Sequence, residues 1–251
     1  MIAVIGAGPA GLACAAMLQQ TGEHVVVLER GRLGEAWRTR YDRLQLHTVR
    51  WLSCLPGYRI PRAFGKWPSR DRVVEYLERY ADRTGVTVRT GVEVTRVDHG
   101  DEAWDLVTTE GVIAAARVVV ATGHNNAPHL PEWPGTFAGT LVHSAEYRNP
   151  TTHAGSRVLV VGAGNSGAEI AVDLADGGAA EVFLAVRNAP SIVRRDTLGF
   201  PSQVLGIATS WLPVPAVDRI ASTIRRVSIP TWPHTACRHR DGRTRSSCAV
   251  G

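Results

Sequence analysis

The apolar residues of this chain fall into short unbroken runs set between stretches of helical and alternating spacing. Ile2–Ile5 is one such run and predicts a buried strand. Pro9–Gln20 is Ala-rich with helical spacing, and Val25–Leu28 is a second run that ends at Glu29, so the first thirty residues read as a β-α-β unit. A loop-rich stretch from Arg30 to Pro68 follows, with Trp37, Trp51 and Trp67. Ser69 then predicts the N-cap of a helix whose apolar face is Val73, Val74, Leu77 and Tyr80 and which stops at Gly85. Val86–Val88 reads as a short strand, and alternation around Val92–Val97, Trp104–Thr108 and Val112–Ala114 predicts an antiparallel meander. Arg117–Ala121 is again continuous and runs into Thr122 and Gly123. After a connection carrying Pro128, Pro131 and Pro134, Arg157–Val161 opens a second β-α-β unit, whose closing strand Glu181–Val186 ends at Arg187.

Both units carry the same glycine spacing at the first strand–helix turn: Gly6-Ala7-Gly8-Pro9-Ala10-Gly11 and Gly162-Ala163-Gly164-Asn165-Ser166-Gly167. The first glycine permits the tight turn, the second lets backbone approach a pyrophosphate, and the third lets helix pack on strand. Strand before, helix after and an acid at Glu29 make the first turn a dinucleotide site, with Arg30 beside it. A carboxylate at that position suits an unphosphorylated ribose, as in FAD or NAD. In the second unit Arg187 stands where an acid would repel a 2′-phosphate, and Arg194 and Arg195 follow, which favours NADPH. Asn165 and Ser166 are placed to bond phosphate or to cap the helix. Ala121, Thr122 and Gly123 mark a strand end beside the first nucleotide. Two such sites in one chain imply electron transfer between cofactors. The fold class is α/β with two Rossmann-like dinucleotide-binding domains and a small antiparallel meander in the first.

Bulk properties narrow the class further. At 251 residues and 44% hydrophobic the chain reads as globular, and no apolar run approaches the roughly 18 residues of a membrane span. Met1 leads directly into a buried strand, leaving no room for a cleavable leader, so a cytoplasmic location is expected. The net charge of +5 owes much to Arg238, Arg240, Arg243 and Arg245 near the C-terminus, and no basic–aromatic patch points to nucleic acid. Cys14, Cys54, Cys237 and Cys248 form no C-x-x-C pair, which argues against a dithiol reductase and against a zinc site.

Between the two glycine turns lies Phe137-x-Gly139-x-x-x-His143-x-x-x-Tyr147. With Gly34-Glu35-Ala36-Trp37, Tyr41-Asp42-Arg43-Leu44-Gln45-Leu46-His47 and Ala121-Thr122-Gly123, this order resembles the class B flavin-containing monooxygenases, from Ile2 to about Ile229. Tyr147 stands where the Baeyer–Villiger branch typically has Trp, which leans the resemblance toward the heteroatom-oxygenating and YUCCA-like branches. The resemblance implies that NADPH reduces FAD and that the reduced flavin reacts with O2 to give a C4a-(hydro)peroxide that oxygenates a small organic substrate. No catalytic acid–base triad is then expected, because the cofactor carries the chemistry. The same residues fit an NAD(P)H–flavin reductase or oxidase, or a non-catalytic remnant that binds nucleotide or a partner.

Single residues carry roles on the resemblance alone: His143 and Tyr147 in the domain linker and in orienting NADPH, Trp37 as a shield for the flavin, and His47 and Thr48 near the flavin ring. The resulting domains are a FAD-binding domain over 1–150, a partial NAD(P)H-binding domain over 151–229 and a tail over 230–251 without regular structure. Relatives of this type continue beyond the second turn, so the second domain reads as incomplete and the open sheet as prone to self-association. Arginine is abundant and Lys66 is the sole lysine, which suggests G+C-rich codons. A frame displaced by two bases across Thr231–Arg240 would then give a Gly-Leu-Pro stretch like the Tyr-Gly-Leu-x-x-Pro of this family, so the tail is expected to be a frameshift product, the alternative being a genuine arginine-rich tail that binds an acidic partner.

Overall fold

The computed structural model describes residues 1–123, 127–187, 195–197, 199–219 and 247–249. The chain divides into two compact units, Met1–Leu46 with Arg50–Arg148, and His47–Val49 with Asn149–Gly251.

The first unit is built on a parallel sheet of β1 (Ile2–Ile5), β2 (Val25–Glu29), β3 (Thr87–Thr90) and β7 (Arg117–Val120), in the order β3-β2-β1-β7. Ile2 pairs with Val25 on one side and Arg117 on the other. Strands β1 and β2 are covered on both faces, which is why they read as unbroken apolar runs. One face packs against α1 (Pro9–Gln20) and α3 (Arg70–Thr84) through Leu12, Ala15, Leu77 and Tyr80. The other packs Ala3 and Leu28 against Leu106 and Ala115 of a meander, β4 (Val94–His99), β5 (Trp104–Thr108) and β6 (Gly111–Ala115). Leu12, Leu28, Leu77 and Leu106 are fully buried, each stabilising by roughly 1.5–3 kcal/mol relative to exposure. A short α2 (Glu35–Arg38) precedes the tryptophan-bearing loops.

Helix α3 starts and stops as its sequence predicts. The Ser69 hydroxyl accepts from the Arg72 N–H at 3.4 Å, and Gly85 ends the helix at φ +64.

In the second unit β8 (Arg157–Val161) and β9 (Glu181–Ala185) run parallel, joined by α4 (Asn165–Asp176), which buries Ile170, Ala171 and Leu174. Short strands β10 (Asp196–Thr197) and β11 (Phe200–Pro201) lead into α5 (Ser202–Ala208). An unbroken apolar run usually marks a strand covered on both faces. In β8 one face is open among the described residues: Leu159 is 59% and Val161 58% exposed.

Of the stretch 230–251, expected to lack regular structure, the described residues are Ser247–Ala249. These residues form β12, antiparallel to β9 with Ser247 opposite Ala185. The outer edge of β9 offers unpaired backbone groups, and a short extended segment satisfies them. Arg194, the end of the expected second domain and the rest of the tail lie outside the described residues.

Among the described residues no helix is long and apolar enough to cross a membrane, and no cluster of His, Cys, Asp and Glu could hold a metal ion.

Candidate functional site

Chain geometry dictates the first glycine turn. At Gly6, φ is +107, and a Cβ would come 2.6 Å from the Ala121 carbonyl oxygen at the end of β7. A Cβ on Gly11 would lie 1.9 Å from the Gly6 carbonyl oxygen, so helix and turn could not close. Gly8 differs: nothing lies within 4 Å of where its Cβ would be. It is the N-cap of α1, no side chain caps that helix, and Pro9 at its first position has no N–H to leave unpaired. The turn thus leaves room and uncapped first-turn amides where a pyrophosphate would sit.

That room is part of a cavity of about 840 Å³ at the carboxyl ends of β1, β2 and β7, where open parallel sheets bind ligands. Gly6, Gly8, Pro9 and Ala10 line one side of it. Glu29 and Arg30 line it from the end of β2, and Ala121, Thr122 and Gly123 from beyond β7. The Glu29 carboxylate is held by backbone, accepting from the Ala7 N–H at 2.8 Å and the Gly31 N–H at 2.9 Å. Each oxygen keeps acceptor capacity for a ribose hydroxyl. Arg30 stands 3.9 Å from Glu93, a solvent-exposed pair of little energetic weight. The cavity also has lining that the sequence reading missed. Arg40 borders it and, among the described residues, its guanidinium has no hydrogen bond or ion pair. Its only sequence signal is a position just past the Gly34–Trp37 segment.

Apart from His47, the segments that carried the family resemblance lie in this unit. Tyr41 and Tyr147 are both buried, their rings tilted at 56° with centroids 6.4 Å apart, and the Asp42 N–H donates to the Arg148 carbonyl at 2.8 Å. His143 turns its Nδ1 to the Ala145 N–H at 3.1 Å, which shapes the linker, and Ala145 borders the cavity. The Phe137 ring lies across Gly139, where a Cβ would approach it to 2.6 Å. Trp37 packs against the main core cluster and does not line the cavity. His47 and Thr48 do not line it either; they belong to the second unit.

The second turn repeats the first. Gly162 has φ +98, a Cβ on Gly167 would fall 2.0 Å from the Gly162 carbonyl oxygen, and Gly164 has open space at its Cβ position. Asn165 and Ser166 are the first two residues of α4, and no side chain caps that helix. Arg187 follows β9, exposed and without a bonding partner among the described residues.

Comparison with known proteins agrees with this geometry. Residues 3–198 match the family model described as pyridine nucleotide-disulphide oxidoreductase. The indole-3-pyruvate monooxygenase YUCCA1 of Oryza sativa subsp. japonica is 42% identical over 230 residues, covering 88% of this chain and 56% of its own length. The chain therefore spans about half the length of the curated relatives it matches. A variant of the flavin monooxygenase from Stenotrophomonas maltophilia superposes with a TM-score of 0.75 at 30% identity, over 89% of this chain and 68% of that one. OTEMO, solved in complex with FAD and NADP, gives a TM-score of 0.61 at 27% identity over 73% of this chain and 38% of its own. By sequence and fold alike, the chain belongs to the pyridine nucleotide-disulphide oxidoreductase family and is similar to flavin monooxygenases, a kinship that supports FAD and NADPH as its cofactors.

Proposed function

We propose that this chain is the nucleotide-binding part of an FAD- and NADPH-dependent monooxygenase, with FAD at the first glycine turn and NADPH at the second. The observation that carries the reading is the duplicated turn. In each copy the third glycine is forced by packing, while the second leaves open space beside an uncapped helix N-terminus. The bound flavin would supply the redox and oxygen chemistry.

The chain's own residues bind and orient. Gly8, Pro9 and Ala10 receive the pyrophosphate, and Glu29, already fixed by two amides, receives the ribose. Ala121–Gly123 approach the cofactor with backbone. At the second turn Asn165 and Ser166 stand at the phosphate position, and Arg187 is the cation for a 2′-phosphate. His143 and Tyr147 shape the linker that borders the first cavity.

The test is the visible spectrum of the purified chain after loading with FAD and removing excess. Addition of NADPH without oxygen comes next, then air with indole-3-pyruvate as the first substrate to try, on the strength of the YUCCA1 likeness. Retained flavin that bleaches with NADPH and yields oxygenated product supports the reading. Bleaching with every reducing equivalent recovered as hydrogen peroxide would make the chain a reductase or oxidase. Failure to retain flavin would end the proposal for this chain.

A further inference from the structure

Glu169 is the fifth residue of α4, just past the second glycine turn. Its Oε1 lies 3.1 Å from Arg195 Nη2 and 3.6 Å from His47 Nε2. Two stretches distant in sequence thus converge on one carboxylate that is only 22% exposed. Backbone bonds brace both: the Val49 N–H donates to Gln203 Oε1 at 2.9 Å, and the Ser202 N–H to the Arg195 carbonyl at 3.1 Å. Side chains on a helix lean toward its N-terminus, so the Glu169 carboxylate sits on the glycine-turn side of its own α-carbon. Arg187, by contrast, is exposed and without a partner among the described residues.

Of the described arginines that the sequence offers to a 2′-phosphate, Arg195 is engaged by a carboxylate and Arg187 has no partner among the described residues. We propose that Glu169 is a positioning residue that withholds Arg195 and His47 from the bound nucleotide, so that recognition of a 2′-phosphate rests on Arg187. The proposal rests on the reading of the second turn as an NADPH site. A guanidinium paired at 3.1 Å presents little net field to an incoming anion. Replacing Glu169 with Gln keeps the size and an acceptor but removes the charge, and returns Arg195 to the pool of cations near the turn.

The experiment is calorimetric titration of the full chain with 2′,5′-ADP and with 5′-AMP at one fixed salt concentration, with thermal melts to confirm folding. Arg187→Ala should weaken 2′,5′-ADP about tenfold while leaving 5′-AMP unchanged, the size expected for one charge-assisted contact. Arg195→Ala should change either ligand by less than about twofold. Glu169→Gln should tighten 2′,5′-ADP by about threefold or more, a gain that disappears in the Glu169→Gln, Arg195→Ala double variant. Weakening by Arg195→Ala comparable to that of Arg187→Ala overturns the proposal. So does a Glu169→Gln variant that gains nothing, or whose gain survives the loss of Arg195. If Glu169→Gln fails to fold, the Arg187 and Arg195 single variants still decide. A wild-type chain that binds neither ligand removes the NADPH reading itself, and this proposal with it.

Discussion

The ring of Tyr147 packs on the ring of Tyr41, centroids 6.4 Å apart, and the neighbouring backbone joins the same segments through the Asp42 N–H and the Arg148 carbonyl. The end of the Phe137–Tyr147 segment is thereby fastened to the start of the Tyr41–His47 segment, more than a hundred residues earlier in the chain. Tyr147 is 5% exposed. Tyr147→Ala should cost about 3–5 kcal/mol of stability, as for other large aromatic truncations. Thermal melts followed by circular dichroism check this, and an unchanged melting temperature would show that the ring contact holds nothing.

Gly8 and Gly11 should respond in opposite ways to the same substitution. Gly11→Ala forces a methyl into the Gly6 carbonyl and should lower the melting temperature whether or not flavin is present. Gly8→Ala meets open space at an ordinary φ of −83, so folding should survive while FAD affinity falls. A flavin titration beside a melt separates the two effects. Gly8→Ala with undiminished affinity would remove the pyrophosphate from this turn.

Glu29 is held by the Ala7 and Gly31 amides, so Glu29→Gln should lose charge-assisted bonds on both the protein and the ribose side. At about 1.5–3 kcal/mol for a hydrogen bond to a charged group, FAD affinity should drop by about ten- to a hundredfold. Flavin fluorescence quenching measures it directly.

Arg40 is a cation on the cavity wall whose guanidinium has no bonding partner among the described residues. Arg40→Ala should weaken FAD and flatten the salt dependence of its binding, while riboflavin, which lacks phosphate, should be unaffected. Equal losses for FAD and riboflavin would mean that Arg40 only shapes the wall.

Tyr76 accepts from the Leu55 N–H and donates to the Tyr58 carbonyl, both at 2.6 Å, and burial pushes its pKa up to about 12. The unfolded chain titrates near pH 10, so the folded state holds the phenol proton to higher pH than the unfolded state. This contribution is intact below about pH 10 and is lost as pH rises toward about 12. Tyr76→Phe should be less stable than wild type at neutral pH and should lose less stability in alkali. Urea melts on either side of about pH 10 test this.

Much of the frame was legible in the sequence because it depends on short-range pattern. The limits of α1 and β8 follow from periodicity and glycine placement, and the Ser69 cap and Gly85 stop follow from local chemistry. Other features depend on partners far along the chain. Val49 bonds to Gln203, 154 residues away, and no periodicity in a three-residue segment announces that. Glu169 sits on an otherwise ordinary helix turn and Arg40 in a loop, so their roles emerge only when the neighbouring elements are in place. The run Arg157–Val161 does not by itself tell which of its faces is open among the described residues, where Leu159 and Val161 are exposed.

The second unit is not one stretch of chain, since it includes His47–Val49, with Val49 fully buried and its amide on Gln203. Recombination between relatives cannot therefore exchange this unit cleanly at Arg148 and Asn149. Such a crossover leaves His47–Val49 behind, matched to the helix and the glutamine of the discarded parent. A chimaera that respects the structure needs additional junctions around Leu46 and Arg50, and gene families that shuffle nucleotide domains would have to inherit the short segment together with the long one.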